Sequence, residues 1–309
     1  MPRYLITGGA GFIGSHLTDA LLDQGHEVVV LDNLSTGRFA NLDAVRVHPG
    51  FDFVQGSVLD ELAVDKAVRR CDVVVHLAAA VGVKLIVSEP LDSLRTNIQG
   101  AITLLAAAHR YRRKVLVTST SEIYGKNGNG PLAEDADRIL GSPAVSRWAY
   151  STSKAVDEIL AYAYHRERDL PTIVVRLFNT VGPRQSPAYG MVIPRLVRQA
   201  LAGEPLTVFG DGAQTRCFCH VADAVDALLR LLDDDRAVGE VFNVGSSEEI
   251  SIEALAHRVL QATGSRSPID HVPYEVAYEA GVEDMARRVR DQRAAVPHRD
   301  MSWHNPLRG

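Results

Sequence analysis

The stretch from Tyr4 to Gly14, Tyr-Leu-Ile-Thr-Gly-Gly-Ala-Gly-Phe-Ile-Gly, constrains this chain more than any other. A short apolar strand runs straight into clustered glycines. A helical pattern of Phe12, Ile13, Leu17, Ala20 and Leu21 follows. Glycine at such a turn lets backbone N–H groups approach phosphate oxygens, and the helix N-terminus adds partial positive charge. Gly9, Gly11 and Gly14 fit G-x-G-x-x-G, and Gly8, Gly11 and Gly14 fit the looser G-x-x-G-x-x-G. A glycine turn also serves tight packing, so its context decides. Here a second apolar run, 27–31, ends in Asp32, about 20 residues beyond the glycines, where a carboxylate accepts from adenosine ribose hydroxyls and repels a 2′-phosphate. The pattern therefore favours NAD over NADP. Arg38 pulls the other way, because an arginine nearby pairs with a 2′-phosphate. The competing reading is the same turn with no dinucleotide.

Strand-like and helix-like segments alternate through the first half. Strands are predicted over 4–7, 27–31, 52–55, 72–77, 114–119 and 172–177, and helices over 60–70, 91–110 and 148–168. Near-continuous apolar strands separated by helices imply an α/β fold: a doubly wound parallel sheet covered on both faces, with its ligand at the carboxyl ends of the strands. With 309 residues the chain has room for such a domain and a smaller lobe. The formal net charge of −5 argues against a nucleic-acid partner. Three cysteines make no disulfide framework. No apolar run reaches membrane-spanning length, and the first residues enter a strand without a leader pattern. A cytoplasmic protein with no membrane contact is the expectation.

The loops after the strand ends are the informative ones. Asp32, Asn33, Ser35, Thr36 and Gly37 follow the second strand and either close over an adenosine or form a solvated turn. Gly56, Ser57 and Val58 follow the third. His76, Leu77, Ala78, Ala79 and Ala80 follow the fourth, where small side chains let a cofactor lie across the backbone. His76, inside an apolar run, reads as a satisfied core histidine. The fifth strand ends in Thr118-Ser119-Thr120-Ser121-Glu122-Ile123-Tyr124-Gly125, which gathers hydroxyls and a carboxylate. The next helix places Tyr150 and Lys154 four apart on one face. A neighbouring ammonium and a nicotinamide cation would lower a tyrosine pKa toward neutral.

Beyond Leu177 the pattern breaks. Residues 178–184 form a turn-rich junction, giving a division into 1–178, a dinucleotide domain carrying Tyr150 and Lys154, and 179–309, mostly a substrate lobe. Helices are expected over 191–202, 221–232 and 251–263, and strands over 206–209 and 241–244. Arg176, Arg184, Arg195 and Arg216 are the available anion binders. Arg216, beside a glycine loop that also holds Gln214, is the best placed for a diphosphate. Cys217, Cys219 and His220 lack a second ligand pair at zinc spacing, so buried thiols rather than a metal are expected.

Together these residues resemble the extended short-chain dehydrogenase/reductase family, the Rossmann-like nucleotide-sugar epimerases, dehydratases and decarboxylases. The likeness runs from Tyr4 to about Arg288. It implies that NAD is held by Gly8, Gly11, Phe12, Ile13, Gly14, Asp32, Asn33, Ser35, Gly37, Ser57, Val58, Leu77, Ala78 and Ala79. Tyr150 and Lys154 match the catalytic pair and Thr120 the hydroxyl that bonds the sugar. Asn179 and Arg216 match diphosphate contacts. Residues 191–193, with Val192, and 207–209, with Thr207 and Phe209, match the segments around the base, with Gln214 nearby. Dehydratases typically read Thr-Asp-Glu where this chain reads Thr120-Ser121-Glu122. The missing aspartate removes the acid that assists water loss. The run 119–125, with Ser146-Arg147-Trp148 and Gln214-Thr215-Arg216, looks most like UDP-glucuronate decarboxylases, in which Glu122, Ser121 and a late arginine, here Arg288, act on the sugar. Two departures stand out: Ser57 replaces the usual aspartate, and the match stops after Arg288.

The resemblance implies a UDP-linked sugar oxidised at C4, decarboxylated as a β-keto acid, and then reduced or released by a homodimeric enzyme. UDP-sugar 4-epimerisation is the alternative. A non-catalytic NAD-binding protein is a third reading, against which Tyr150 and Lys154 speak.

Overall fold

The structure is a computed structural model that describes residues 1–82, 89–127, 130–146, 148–186 and 191–273. The first half alternates β1 (Arg3–Thr7), α1 (Phe12–Asp23), β2 (Glu27–Asp32), β3 (Phe51–Gln55), α2 (Glu61–Arg69), β4 (Val73–His76), α3 (Pro90–Tyr111), β5 (Lys114–Thr120), α4 (Trp148–Arg168) and β6 (Thr172–Leu177). Then come β7 (Thr180–Val181), α5 (Val192–Ala202), β8 (Leu206–Phe209), β9 (Thr215–Cys217), β10 (Cys219–His220), α6 (Val221–Asp233), β11 (Val241–Val244), β12 (Glu249–Ser251), α7 (Ile252–Thr263) and β13 (Ile269–Val272).

Seven parallel strands form the main sheet in the order β11-β6-β5-β4-β1-β2-β3. The order reverses between β1 and β4, so their carboxyl ends leave a crevice. Side chains alternate between two cores. Ile6, Val30, Val75 and Leu116 pack with Leu17 and Leu21 of α1 and Val225 and Leu228 of α6. Leu5, Val29, Val74, Val115 and Val117 pack on the other face with Val64 of α2, Leu104 of α3 and Ala161 of α4. Burial on both faces is why the strands read as unbroken apolar runs. Asp60 caps α2 by accepting from the Leu62 and Ala63 nitrogens at 3.0 Å each.

A smaller core joins Leu196 and Ala200 of α5, Leu206 and Val208 of β8, and Leu255 and Val259 of α7. All of its members lie after residue 178, but the chain does not stay with this core. It returns through α6 onto α1 and through β11 into the main sheet, where Val241 pairs with Val174. β11 is thus an edge strand of the first layer, not an element of the lobe.

Candidate active site

The carboxyl ends of the central strands open into one cleft of about 850 Å³. The glycine turn forms one wall. Gly8 stands at φ +74°, and a Cβ there would lie 2.8 Å from the Ala78 nitrogen. A Cβ on Gly14 would meet the Gly8 carbonyl and come within 2.7 Å of the Gly9 Cα. A side chain at either position would pry β1 from β4 or lift α1 off the turn. Gly11 is the N-cap of α1, so no side chain covers the first turn, and Phe12, Ile13 and Gly14 line the cleft with their orphan N–H groups.

Asp32 is 7% exposed at the end of β2. Its Oδ2 accepts from the Ala10 nitrogen at 3.0 Å and its Oδ1 from the Leu34 nitrogen at 2.8 Å. Burial raises its pKa and those two bonds oppose the rise. Each oxygen keeps acceptor capacity for a hydroxyl. Asn33, Ser35, Gly37 and Val58 line the same end, and Leu77, Ala78 and Ala79 line the crossing at β4. Ser57 lies outside the lining: its Oγ accepts from the Leu59 nitrogen at 3.2 Å in a local turn. A bare helix start, a carboxylate at the end of β2 and small side chains between them fit a dinucleotide.

At the other end Thr120, Ser121, Glu122, Tyr150 and Lys154 come together in the same cleft. Thr120 ends β5 and caps the short helix Ser121–Tyr124, its Oγ1 accepting from the Glu122 nitrogen at 3.2 Å. The Thr120 hydroxyl is placed to stabilise the ionised Tyr150 phenol. Burial, then the negative charges of Glu122 and Asp157, hold the Tyr150 phenol far above its ordinary pKa, and only the Thr120 bond opposes them. The lowering expected from Lys154 is not realised in this arrangement. Lys154 is 2% exposed, and its Nζ donates to Asp157 Oδ2 at 2.7 Å.

His76 is half satisfied. Its Nδ1 lies 2.8 Å from Thr7 Oγ1, while Nε2 is buried without a partner among the described residues. Burial, then the Lys154 charge, lower its pKa to about 3, so the ring is neutral. Asn97 of α3 was not singled out from sequence. Its Oδ1 accepts from the Ala80 nitrogen at 2.8 Å, and its Nδ2 donates to Ser153 Oγ at 3.0 Å. Ser153 in turn donates to the Tyr150 carbonyl at 2.8 Å. This chain of bonds ties the β4 crossing to the helix bearing Tyr150. An asparagine inside a helix carries no sequence signal for that role.

The substrate-side residues divide. Asn179 lines the cleft, and its Nδ2 donates to the Cys217 carbonyl at 3.1 Å. Val192, Thr207, Phe209, Gln214 and Arg216 lie in the lobe outside the lining. Thr207 bonds to Arg195 and Gln199, and the Arg195 guanidinium sits 4.2 Å from the Phe209 ring centroid. Gln214 Nε2 donates to the Phe209 carbonyl at 2.9 Å, and Arg216 donates to the Thr215 carbonyl at 2.7 Å. Val192 opens α5 against the lobe core. Arg288 lies outside the described residues. Arg176 is not available to an anion: it is buried, and its Nε and Nη2 donate to Glu158 at 2.9 and 2.8 Å. Arg184 lines the cleft and pairs with Asp19 at 2.8 Å. Cys217 and Cys219 are buried and form no disulfide among the described residues, and they lie on different strand pairs, because the chain breaks between β9 and β10.

The sequence profile of the NAD-dependent epimerase/dehydratase family matches residues 4–245, which include the glycine turn, Thr120, Tyr150 and Lys154. The chain belongs to that family. Its dinucleotide cleft is an NAD site. Among curated members of the epimerase/dehydratase group, a UDP-N-acetyl-alpha-D-glucosaminuronate decarboxylase of Bacillus cytotoxicus is 40% identical over 311 residues, covering 99% of this chain and 95% of the relative. A UDP-glucuronic acid decarboxylase 1 of Xenopus tropicalis is 36% identical over 95% of this chain, which spans 66% of that relative's length. Among solved structures, a UDP-glucuronic acid 4-epimerase of Bacillus cereus, in complex with UDP-glucuronic acid and NAD, superposes with a TM-score of 0.80. It is 32% identical and covers 88% of this chain and 86% of its own.

Proposed function

We propose that this family member is an NAD-dependent decarboxylase of a UDP-linked hexuronate, UDP-glucuronate or its 2-acetamido counterpart. The carrying observation is that Glu122 shares one cleft with Thr120, Tyr150 and the glycine turn. The two decarboxylase relatives support the sugar acid as substrate. NAD supplies a hydride acceptor at C4 and afterwards a hydride donor.

The chain's own residues manage protons. Tyr150 accepts the C4 hydroxyl proton, with Thr120 sharing the bond. Lys154, on the cleft wall, holds the nicotinamide ribose. The resulting 4-keto sugar is a β-keto acid at its C5 carboxylate. Its C–C bond breaks to CO2, and the electron pair passes into an enolate. C5 must then gain a proton, so one proton is consumed for each CO2 released. Ser121 and Glu122 orient the sugar and deliver that proton. Pairing of Arg288 with the departing carboxylate is part of the proposal and rests on the resemblance alone.

Incubation with NAD and each carboxyl-labelled sugar nucleotide should release labelled CO2. Interconversion of epimers without loss of mass would establish the second reading, 4-epimerisation, which the Bacillus cereus neighbour favours. NAD binding with no turnover of either kind would refute both. We also propose self-association through α3 and α4, where Ile102 and Ile159 are exposed, to be checked by sedimentation. We further propose a reducing compartment such as the cytoplasm, a reading supported by the burial of Cys71, Cys217 and Cys219 apart from any disulfide among the described residues.

A further inference from the structure

The proposed chemistry leaves two enclosed carboxylates unused, and while Glu158 is doubly bonded by Arg176, Asp157 is not fully satisfied. Asp157 of α4 is 0% exposed. Its Oδ2 accepts from Lys154 Nζ at 2.7 Å, and its Oδ1 is buried without a partner among the described residues. Burying a carboxylate with half its bonding unmet is costly, and an apolar side chain would pack there at less cost. Strand alternation locates its surroundings. Val74 of β4 and Val115 and Val117 of β5 face the core beneath α2, α3 and α4. His76 and Ser119 continue those rows onto the same face. His76 Nε2 and Ser119 Oγ are likewise buried without partners among the described residues. Lys154 thus has two sides, one against this enclosed polar region and one on the cleft wall.

We propose that Asp157 is a positioning residue: its carboxylate anchors the back of the Lys154 ammonium so that the remaining N–H groups face the cleft, and its charge offsets that of the lysine at the Tyr150 phenol. An ammonium has three donors, so one anchored bond leaves two for ribose hydroxyls. The anchor fixes a side chain that would otherwise lose rotamer entropy on binding. The groups acting on this centre are His76 from β4, Thr120 from β5, Glu122 from the short helix and Glu158 beside Asp157, itself paired with Arg176 of β6, while Asn97 of α3 reaches the Tyr150 backbone through Ser153. Glu122 and Asp157 are the negative charges acting on Tyr150. Asp157 alone of the two also bonds the lysine.

The inference rests on Tyr150 being the proton acceptor, and two variants test it. Asp157→Asn keeps an acceptor for Lys154 but removes the charge. In the NAD complex, the Tyr150 phenolate, read as the ultraviolet difference from Tyr150→Phe in the same background, should appear roughly one to two pH units lower. Its NAD affinity by calorimetry should stay near that of the parent. Asp157→Ala removes the anchor and should weaken NAD binding on the order of tenfold. If Asp157→Ala does not fold, the phenolate shift in Asp157→Asn decides alone. An unshifted phenolate, or equal loss of NAD affinity in both variants, would overturn the proposal. Turnover retained by Tyr150→Phe would instead refute the proposed function, and the two failures are distinguishable.

Discussion

Two glycines of nearly equal backbone angle separate conformational cost from crowding. Gly8 has φ +74° and Gly203, at the end of α5, has φ +70°. A Cβ at Gly203 would meet nothing within 4 Å among the described residues. Gly203→Ala therefore carries only the left-handed backbone penalty, about 1 kcal/mol. A Cβ at Gly8 would stand 2.8 and 2.9 Å from the Ala78 nitrogen and Cα and 3.0 Å from the Leu77 carbonyl carbon. Those are main-chain atoms just past β4, which pairs with β1, so they cannot swing aside. Overpacking of this kind adds roughly 1–3 kcal/mol. Gly8→Ala should thus cost about 2–4 kcal/mol, a large share of ordinary domain stability. It should also displace the turn and weaken NAD binding, which Gly203→Ala should leave intact. Urea unfolding and NAD calorimetry on both variants make the comparison. Equal destabilisation, or a Gly8→Ala protein with parental NAD affinity, would refute the steric argument.

Other outcomes follow from the same geometry. Tyr150→Phe should lose at least about 100-fold in turnover while NAD still binds, because only the proton acceptor is removed. Arg176→Met strands Glu158 in the interior and should cost about 3–5 kcal/mol in urea unfolding, most of it regained when Glu158→Leu is added. His76 has a folded pKa of about 3 against an ordinary 6.5, so the unfolded chain binds the extra proton between those values. Its contribution is complete above pH 6.5 and is lost as pH falls, at about 1.4 kcal/mol per unit. Stability measured from pH 7 down to 4.5 should therefore fall less steeply in His76→Gln than in the parent.

The strands of the first half were legible because burial on both faces leaves apolar runs such as Val28–Leu31 that nothing but a covered sheet explains. The glycine turn and the Tyr150–Lys154 pair were legible because their spacing is itself the geometry. The return of Val241–Val244 to the main sheet was not, since four alternating residues say that a strand exists but not which edge it joins. Arg176 read as a free cation because its partner, Glu158, lies on another element 18 residues earlier. Asp157 escaped notice for the opposite reason. Next to Glu158 on a charged helix it looks like solvated surface, whereas in the fold it is fully buried beside Lys154.

The way the backbone threads between the two halves has an engineering consequence. Because α6 shields Leu17 and Leu21, and β11 supplies the outermost strand, cutting at residue 178 would uncover part of one face of the sheet and remove its edge rather than release a module. Chimeras that exchange sugar preference should therefore graft residues 179–220 and the stretch after 244 together, leaving 221–244 with the host.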